Sequence, residues 1–279
     1  MATGVYETTK KDGSTYYRAS INFKNKHISL GSSSKKSEAN SMYREAKAII
    51  ESQNPKKNNK KSNNNIDITI ENFTTHITHL NFEKAIIILN FRDNNIYIKN
   101  PIYLQKGFFH YYISPREFIK FDNDDLFYYS SHKIIKRQGH LFVNDYGMQY
   151  NIAQRYGIRN FAVEGRDYEF ANGDNHDYSY SNIIILNKYY GITSEEKNNK
   201  IWYIAKLHLN GKIIIGKYTN ETKAAIAYNK AIDYARKKGI DKNFIENYIE
   251  DLSAREYADI YTRVGLTDSF YNYVDNYIK

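Results

Sequence analysis

The sequence contains no cysteine, and this absence removes several classes of chemistry. Without cysteine there is no disulfide, no thiol nucleophile and no zinc site built on thiolate ligands. Long apolar runs are also missing. The longest, residues 85–91, is interrupted by Asn90, whereas a membrane-spanning helix needs about 20 apolar residues. We therefore expect no disulfide framework, no thiolate metal centre and no membrane partner.

The sequence repeats one pattern near its two ends. In the first copy the pattern comprises Gly4-Val5-Tyr6, the segment 16–21, Leu30-Gly31 and the helical positions Ala39, Tyr43 and Ala46. In the second copy it comprises Gly191-Ile192-Thr193, the segment 202–207, Ile215-Gly216 and the helical positions Ala224, Tyr228 and Ala231. A module that is used twice in one chain is typical of proteins that grip an extended ligand.

Each copy is predicted to fold as a three-stranded antiparallel sheet backed by one helix. In the first copy, apolar and polar residues alternate over 17–23, which is the period of a half-buried strand. Ser34 is the candidate cap for a helix over about residues 36–52. In the second copy, the Asn-Gly pair at 210–211 predicts a tight hairpin turn, and Thr219 is the candidate helix cap.

Positive charge is concentrated on the two repeated modules. The net charge of the whole chain is +9; residues 1–65 carry +8 and residues 189–240 carry +6, whereas residues 66–188 carry −1 and residues 241–279 carry −4. Basic charge localised on small folded units indicates nucleic-acid binding, because each phosphate that a cation neutralises releases counterions. The alternative interpretation is a solvated basic surface.

The composition divides the chain into five segments. They are a first module at 1–52, a Lys/Asn-rich linker at 53–65, a middle domain at 66–188, a second module at 189–240 and an acidic, aromatic helical tail at 241–279. The linker has no apolar residue that it can bury, so we expect a disordered tether. Two interpretations of the tail stay open: it packs on the second module, or it forms a surface for a protein partner.

Both modules resemble the ethylene-response-factor (Apetala-type) DNA-binding domain. The first copy has a Gly-Val pair, an aromatic residue before Ala-x-Ile and a Leu-Gly pair, the second has Gly-Ile, Ala-x-Leu and Ile-Gly at these places, and both have a helix with Ala-x3-Tyr-x2-Ala. The resemblance covers about 50 residues in each copy. In that family the sheet, and not the helix, enters the major groove of DNA. The resemblance therefore implies that the outward side chains of each sheet read bases and phosphates.

The resemblance implies a groove-facing set in each module. In the first module this set is Tyr6, Tyr16, Arg18, Ser20, Asn22, Lys24, His27 and Ser29. In the second module it is Thr193, Trp202, Ile204, Lys206, His208, Lys212 and Ile214. The family's arginine-rich reading face is reduced to Arg18 in the first copy and to lysines in the second. Because arginine is the usual bidentate reader of guanine, this departure is consistent with a weaker or A·T-leaning readout.

The middle domain carries a second resemblance. It contains the series Asn172-Gly173-Asp174, Asp177 and Asn182-Ile183. Their spacing, N-G-D-x-x-D-x-x-x-x-N-[LI], resembles the core of HNH homing endonucleases, which commonly carry an Apetala-type module after that core. The resemblance implies a nuclease-like ββα fold. In that family one histidine activates water, another holds a divalent metal and the asparagine orients the site.

The histidines of that family are missing from their positions in this chain. The histidine before Asn-Gly-Asp falls on Phe170, and the upstream histidine falls near Tyr150. Neither side chain can act as a neutral base near pH 7. His140 and His176 are close in sequence, but their spacing does not restore the motif. We therefore expect a degenerate nuclease core with no catalytic residues and no metal.

These observations predict an α+β protein, in which two three-stranded-sheet-plus-helix modules flank a degenerate HNH-like (ββα) middle domain. The expected function is duplex DNA binding by a regulatory or architectural factor that needs no cofactor. One alternative is an active HNH homing endonuclease that uses Mg²⁺ or Mn²⁺, and another is a structural component of a nucleoprotein assembly. Because no cleavable leader precedes the first module, we expect the protein inside the cell, with the DNA.

Overall fold

The fold is a mixture of helices and small antiparallel sheets, as predicted. The computed structural model describes residues 4–9, 11–52, 67–240 and 242–277. The predicted linker at 53–65 lies outside the described residues. Within the described ranges, no helix is both long enough and apolar enough to cross a membrane.

Contacts divide the chain into two compact units. The first unit combines residues 1–152 with 174–182, and the second combines residues 153–173 with 183–279. The predicted middle segment thus contributes residues to both units. The five-segment organisation stays a prediction about independent domains.

The first module lies in the first unit. Its elements are β1 (Val5–Thr9), β2 (Thr15–Phe23), β3 (Lys26–Ser33) and α1 (Lys36–Glu51). The strands form an antiparallel sheet in the order β1-β2-β3, with α1 against one face. The turn between β2 and β3 has two residues, Lys24 and Asn25, with φ of 44° and 61°. Positive φ at both positions is what a tight type I′ hairpin turn requires.

The remainder of the first unit completes the core of that module. Its helices and strands are α2 (Phe82–Asn94), β4 (Ile102–Leu104), β5 (Phe108–Ser114), β6 (Glu117–Asp122), α3 (Leu126–Ser131), β7 (Ile134–Arg137), β8 (His140–Asp145) and β9 (Met148–Asn151). Strands β4-β5-β6 and β7-β8-β9 form two further antiparallel sheets. Leu30 and Ile49 of the module share one buried cluster with Ile86 and Leu89 of α2. The segment 1–52 therefore buries its apolar face together with α2.

The second unit contains the second module and the tail. Its elements are β10 (Tyr168–Phe170), β11 (Ile183–Ile185), β12 (Ile192–Lys197), β13 (Lys200–His208), β14 (Lys212–Tyr218), α4 (Glu221–Lys237), α5 (Ala254–Arg263) and α6 (Asp268–Asp275). Strands β12-β13-β14 form the sheet of the module, and α4 packs on it. Val264, Phe270 and Val274 of the tail lie in one core with Ala227 and Ile232 of α4. The tail thus packs on the second module.

Both predicted helix caps are wrong by one residue. The N-cap of α1 is Lys35, which makes no side-chain cap bond, and not Ser34. The N-cap of α4 is Asn220, which accepts a backbone N–H with its side chain, and not Thr219. In both helices the N-cap lies four residues before the first buried alanine. Core packing therefore determines where each helix starts. The preference of a side chain for the cap position is secondary.

The two modules match in register as well as in sequence. Pairing with the third strand shifts at a bulge just before Ser20 in the first module and just before Lys206 in the second. The N–H after each bulge donates to a glycine carbonyl, Ser20 to Gly4 at 2.9 Å and Lys206 to Gly191 at 2.8 Å. The second hairpin turn has three residues, 209–211, so the predicted two-residue Asn-Gly turn is wrong.

A ββα unit around the Asn-Gly-Asp motif is not confirmed. Strands β10 and β11 pair antiparallel and bracket the motif, but the next element is β12 of the second module and not a helix. Residues 174–182 belong by their contacts to the first unit, where Asp177 bridges to Lys120 of β6. The motif therefore supplies residues to two different compact units.

Candidate nucleic-acid interface

One face of the first sheet is turned away from α1. Ala19, Ile21, Ile28 and Leu30 belong to the core, so the alternate residues of the same strands form the opposite face. This first outer face contains Tyr6, Tyr16, Arg18, Ser20, Asn22, His27 and Ser29, and Thr8 and Ser32 lie on the same side. The seven residues named first belong to the predicted groove-facing set, and all of these seven except Ser20 are exposed or half-buried.

Arg18 is an exposed cation on the middle strand of this face. It lies opposite Tyr6 of β1, and its Cζ is 5.3 Å from the centroid of the Tyr16 ring. Among the described residues, no carboxylate forms an ion pair with it. Cation–π contact holds the planar guanidinium while its N–H donors stay available. The guanidinium therefore keeps N–H donors that no described carboxylate occupies.

Lys24 lies in the turn and not on this face, so its position does not support the predicted groove contact. Its Nζ donates to the carbonyl oxygens of Phe91 and Arg92 at 3.1 and 3.2 Å and to Asn95 Oδ1 at 2.5 Å. These acceptors lie at the carboxyl end of α2, where a helix leaves carbonyls unsatisfied and favours a cation. Alternation along β2 misplaced Lys24 because the residue lies in the turn.

Two side-chain pairs fix the shape of the first outer face. Tyr6 Oη lies 3.0 Å from Ser20 Oγ, and Ser20 is only 5% exposed. Ser20 therefore anchors Tyr6 and does not offer its hydroxyl to a ligand. Asn22 Oδ1 lies 2.9 Å from His27 Nδ1. An amide oxygen only accepts, so Nδ1 of His27 is the donor of this bond.

The second sheet has a corresponding outer face. This second outer face consists of Thr193, Glu195, Lys197, Lys200, Trp202, Ile204, Lys206, His208, Lys212, Ile214 and Lys217. Lys206 lies opposite Ile214, and His208 lies opposite Lys212. Ile204 is 6% exposed although it is not part of the core cluster. The prediction of Ile204 as a groove contact is therefore not supported by its burial.

Lys217 is a member of this face that the sequence did not reveal. Simple alternation along β14 groups residue 217 with buried Ile215, but the bulge places Lys217 opposite Ile204 and so on the outer side. Lys217 Nζ lies 2.6 Å from Glu195 Oε1. The hydrogen bond from Lys217 lowers the pKa of Glu195 below its ordinary value. The position of Lys217 follows from the bulge at Ala205–Lys206, which alternation in the sequence does not show.

The two outer faces have different chemistry at equivalent positions. The shared register places Trp202 where the first module has Tyr16, and Ile204 where it has Arg18. The first face therefore presents a guanidinium stacked on a ring. The second presents ammonium groups around an indole and the exposed side chain of Ile214. The two modules are built alike, but they do not offer a ligand the same groups.

An open pocket lies at the β12–β13 end of the second outer face. Its volume is about 580 Å³. This Trp202 pocket is lined by Glu195, Lys197, Asn198, Lys200, Trp202 and Lys217. Three ammonium groups and one carboxylate thus surround one half-buried indole. The volume lies within the range of about 300–1,000 Å³ that is usual for small-molecule sites.

The motif residues of the first unit form a hydrogen-bonded loop. Asp177 is 4% exposed and accepts from Lys120 Nζ at 2.8 Å and from Ser179 N and Oγ at 3.0 and 2.5 Å. Asn182 Nδ2 donates to the carbonyl oxygens of Asp177 and Asp174 at 2.8 and 3.4 Å. This arrangement uses the carboxylate and the amide to hold the backbone of the loop against β6.

The positions of the HNH histidines have different surroundings. Phe170 is buried at the end of β10, and Tyr150 is exposed on β9. His140 is exposed at the start of β8. His176 contacts a motif residue, since its ring nitrogens lie 3.7 Å from Asp174 Oδ1 and 3.6 Å from Glu117 Oε1. Within the part of the chain that the structure describes, no group of three or more His, Asp or Glu is placed to hold a metal ion.

Acid should weaken the loop around Asp177. Burial alone raises the pKa of this carboxyl, but the bonds from Lys120 and Ser179 outweigh it and hold the pKa below its ordinary value. The bonds therefore stabilise the fold above the unfolded pKa of about 3.9 and are lost as pH falls through the folded pKa. Urea unfolding should give a free energy that falls below about pH 4. Asp177→Asn should flatten this fall, and parallel curves for the two proteins would contradict the assignment.

No protein-family model matches the chain, and no curated protein or solved structure is significantly similar to it. A functional assignment therefore depends on the two outer faces and on the motif loop.

Proposed function

We propose that this protein binds duplex DNA through the outer faces of its two sheet-plus-helix modules, as a regulatory or architectural factor. The observation that carries the proposal is the repeat itself. One sheet geometry, with the same bulge and the same glycine contact, occurs twice and leaves one face uncovered by its own helix. Each face carries cations, Arg18 in the first and Lys206, Lys212 and Lys217 in the second.

The dimensions of each sheet support this assignment. Neighbouring strands lie about 4.8 Å apart, so three strands extend over about 10 Å. The major groove of B-DNA is about 12 Å wide and admits a β-ribbon. Side chains that stand out from the middle strand, Arg18 in one module and Lys206 in the other, are then placed toward base edges. A cation on a flanking strand, such as Lys212, is placed toward phosphates.

Salt-dependent binding tests this proposal. We expect the logarithm of the association constant for a labelled duplex to fall linearly with the logarithm of salt concentration, with a slope of about −0.9 for each phosphate neutralised. Fluorescence anisotropy over a salt series measures it. A structured RNA of equal length should bind more weakly, because the major groove of A-form RNA is too narrow for a sheet. Tighter binding to that RNA at every salt concentration would instead support the nucleoprotein-assembly alternative.

We also propose that the Asn-Gly-Asp segment is structural and that the protein does not cut DNA. The bonds of Asp177 to Lys120 and Ser179, and the aromatic residues at positions 150 and 170, support this. Cleavage needs a general base within reach of water and a metal on the scissile phosphate. The resemblance to HNH enzymes therefore concerns the turn chemistry of the motif.

Supercoiled plasmid with Mg²⁺ or Mn²⁺ should stay intact in the presence of the protein. Agarose electrophoresis over a time course measures nicking. The matched control is the double variant His140→Ala and His176→Ala, which removes both histidines that lie near the motif in sequence. Nicking by the parent protein that the double variant lacks would contradict the proposal and restore the endonuclease alternative.

A further inference from the structure

The Trp202 pocket contains an aromatic surface that has no partner in the fold. The indole is half-buried on the outer side of β13 and is not a member of the core cluster. Among the described residues, no aromatic ring stacks on it and no cation lies over it. The equivalent residue of the first module, Tyr16, is instead covered by the guanidinium of Arg18. At this matched position, the second module therefore has a ring face that no described side chain covers, whereas the first module has a covered one.

Two lysines of the pocket lie directly opposite each other. Lys197 and Lys200 are paired directly across the β12–β13 hairpin. The turn between them is Asn198-Asn199, with φ of 56° and 57°, which fixes the pair at a tight turn. Like charges directly opposite each other destabilise a hairpin. In the part of the chain that is described, neither ammonium forms an ion pair, so an anion between them would relieve this repulsion.

The carboxylate of the pocket does not cancel this charge. Glu195 is held at 2.6 Å by Lys217 and is also attracted by Lys197, so three ammonium groups share one carboxylate and positive charge is in excess. An aromatic plane beside this excess of ammonium groups matches the two ends of a nucleotide. The base has a π-face that stacks on an indole, and the phosphates carry the negative charge that pairs with the lysine ammonium groups. A fully paired duplex offers only the second of these groups, because its bases are already stacked.

We propose that the Trp202 pocket binds one unpaired nucleotide of a DNA strand, with the base against the indole and the neighbouring phosphates at Lys197 and Lys200. This inference rests on the proposed DNA-binding function and extends it to DNA with an unpaired end or bulge. The second module then contacts paired DNA with Lys206 and Lys212 and an unpaired nucleotide at the other end of the same face.

The test compares a fully paired duplex with the same duplex carrying an unpaired tail of four thymidines. Trp202 is the single tryptophan of the chain, so all indole emission comes from the pocket. We expect the tail to tighten binding by about 5-fold to 100-fold, as one stacked base does elsewhere, and to quench the emission. The paired duplex should quench it much less. Equal affinity for both duplexes, with salt-dependent binding intact, would overturn the pocket assignment and leave the proposed function standing.

Variants separate stacking from a general effect of charge. Trp202→Leu should abolish the advantage of the tailed duplex, whereas Trp202→Phe should keep most of it, and thermal unfolding of each variant establishes that it is folded. Lys237→Ala removes one positive charge from α4 outside the pocket and should keep the advantage unchanged. A full advantage in folded Trp202→Leu would overturn the inference. Absence of salt-dependent binding to either duplex would overturn the proposed function as well.

Discussion

Gly191→Ala should destabilise the second unit by about 2–5 kcal/mol. A Cβ at this position would overlap the ring of Tyr228 and lie 2.6 Å from the carbonyl oxygen of Lys206, and the backbone φ is +71°. The left-handed conformation costs a side-chain residue about 1–2 kcal/mol, and overpacking adds about 1–3 kcal/mol. Denaturant unfolding followed by the emission of Trp202 measures the loss, because that residue lies in the same unit.

Gly265→Ala is the matched control for this substitution. Nothing lies within 4 Å of a Cβ at Gly265, so the unfolding free energy should stay nearly unchanged or rise slightly. In the double variant Gly191→Ala and Tyr228→Ala, the overlap with the ring is removed and the contact with the backbone remains. Gly191→Ala should therefore cost less in the Tyr228→Ala background than in the parent, although Tyr228→Ala is itself destabilising. A Gly191→Ala protein as stable as the parent would show that the close contact is not rigid.

The first module contains the same contact, and it explains part of the repeated pattern. A Cβ at Gly4 would overlap the ring of Tyr43 and lie 2.5 Å from the carbonyl oxygen of Ser20. In each module, the glycine that directly precedes the first strand packs closely against a tyrosine of the helix. The sequence showed both residue types at matching places in the two copies. It did not show that they touch, because they lie at opposite ends of the module.

Helices and strands that depend on residues close together in the sequence were predictable. The strand β2 and the helix α1 follow from periodicity over a few residues, and the observed bounds of α1, Lys36–Glu51, differ by one residue from the expected ones. Their packing partners were not predictable, because they are distant in sequence. α2 completes the core of the first module, and the loop at 174–182 attaches to the edge strand β6.

In the candidate interface, too, local patterns were predictable and long-range effects were not. Alternation along the middle strand correctly placed Arg18 and Lys206 on the outer side of their sheets. It failed where the alternation itself stops. Lys24 lies in a turn and satisfies the end of α2, and Lys217 lies beyond a bulge that inverts the pattern. Ile204 lies on the expected side but is buried, and alternation does not report how neighbouring side chains cover a residue.

Removing the cations of both outer faces should weaken duplex binding far more than removing those of one. We expect Arg18→Ala to cost about 1–3 kcal/mol on a preferred site and to relax preference at one position, as loss of a base-reading arginine does. The double variant Lys206→Ala and Lys212→Ala should weaken binding to all sequences and reduce the salt slope by about 0.9 for each phosphate that is no longer neutralised. Point substitutions are the appropriate test, because truncation of residues 1–65 would remove a large part of the core shared with α2.

A combined variant carries Arg18→Ala, Lys206→Ala and Lys212→Ala. It distinguishes binding by the two outer faces from a general electrostatic attraction between the protein and DNA. Two modules in one chain gain avidity of about 10²–10⁴ when both engage the same DNA. Loss of either face should therefore reduce affinity for a site that both modules contact by about 10²-fold, and loss of both should leave only weak, salt-sensitive binding. The control removes three exposed lysines outside the two faces, with Lys99→Ala, Lys106→Ala and Lys237→Ala. If that control loses as much affinity as the combined variant, net charge alone explains the binding and the sheets are not the reading surfaces.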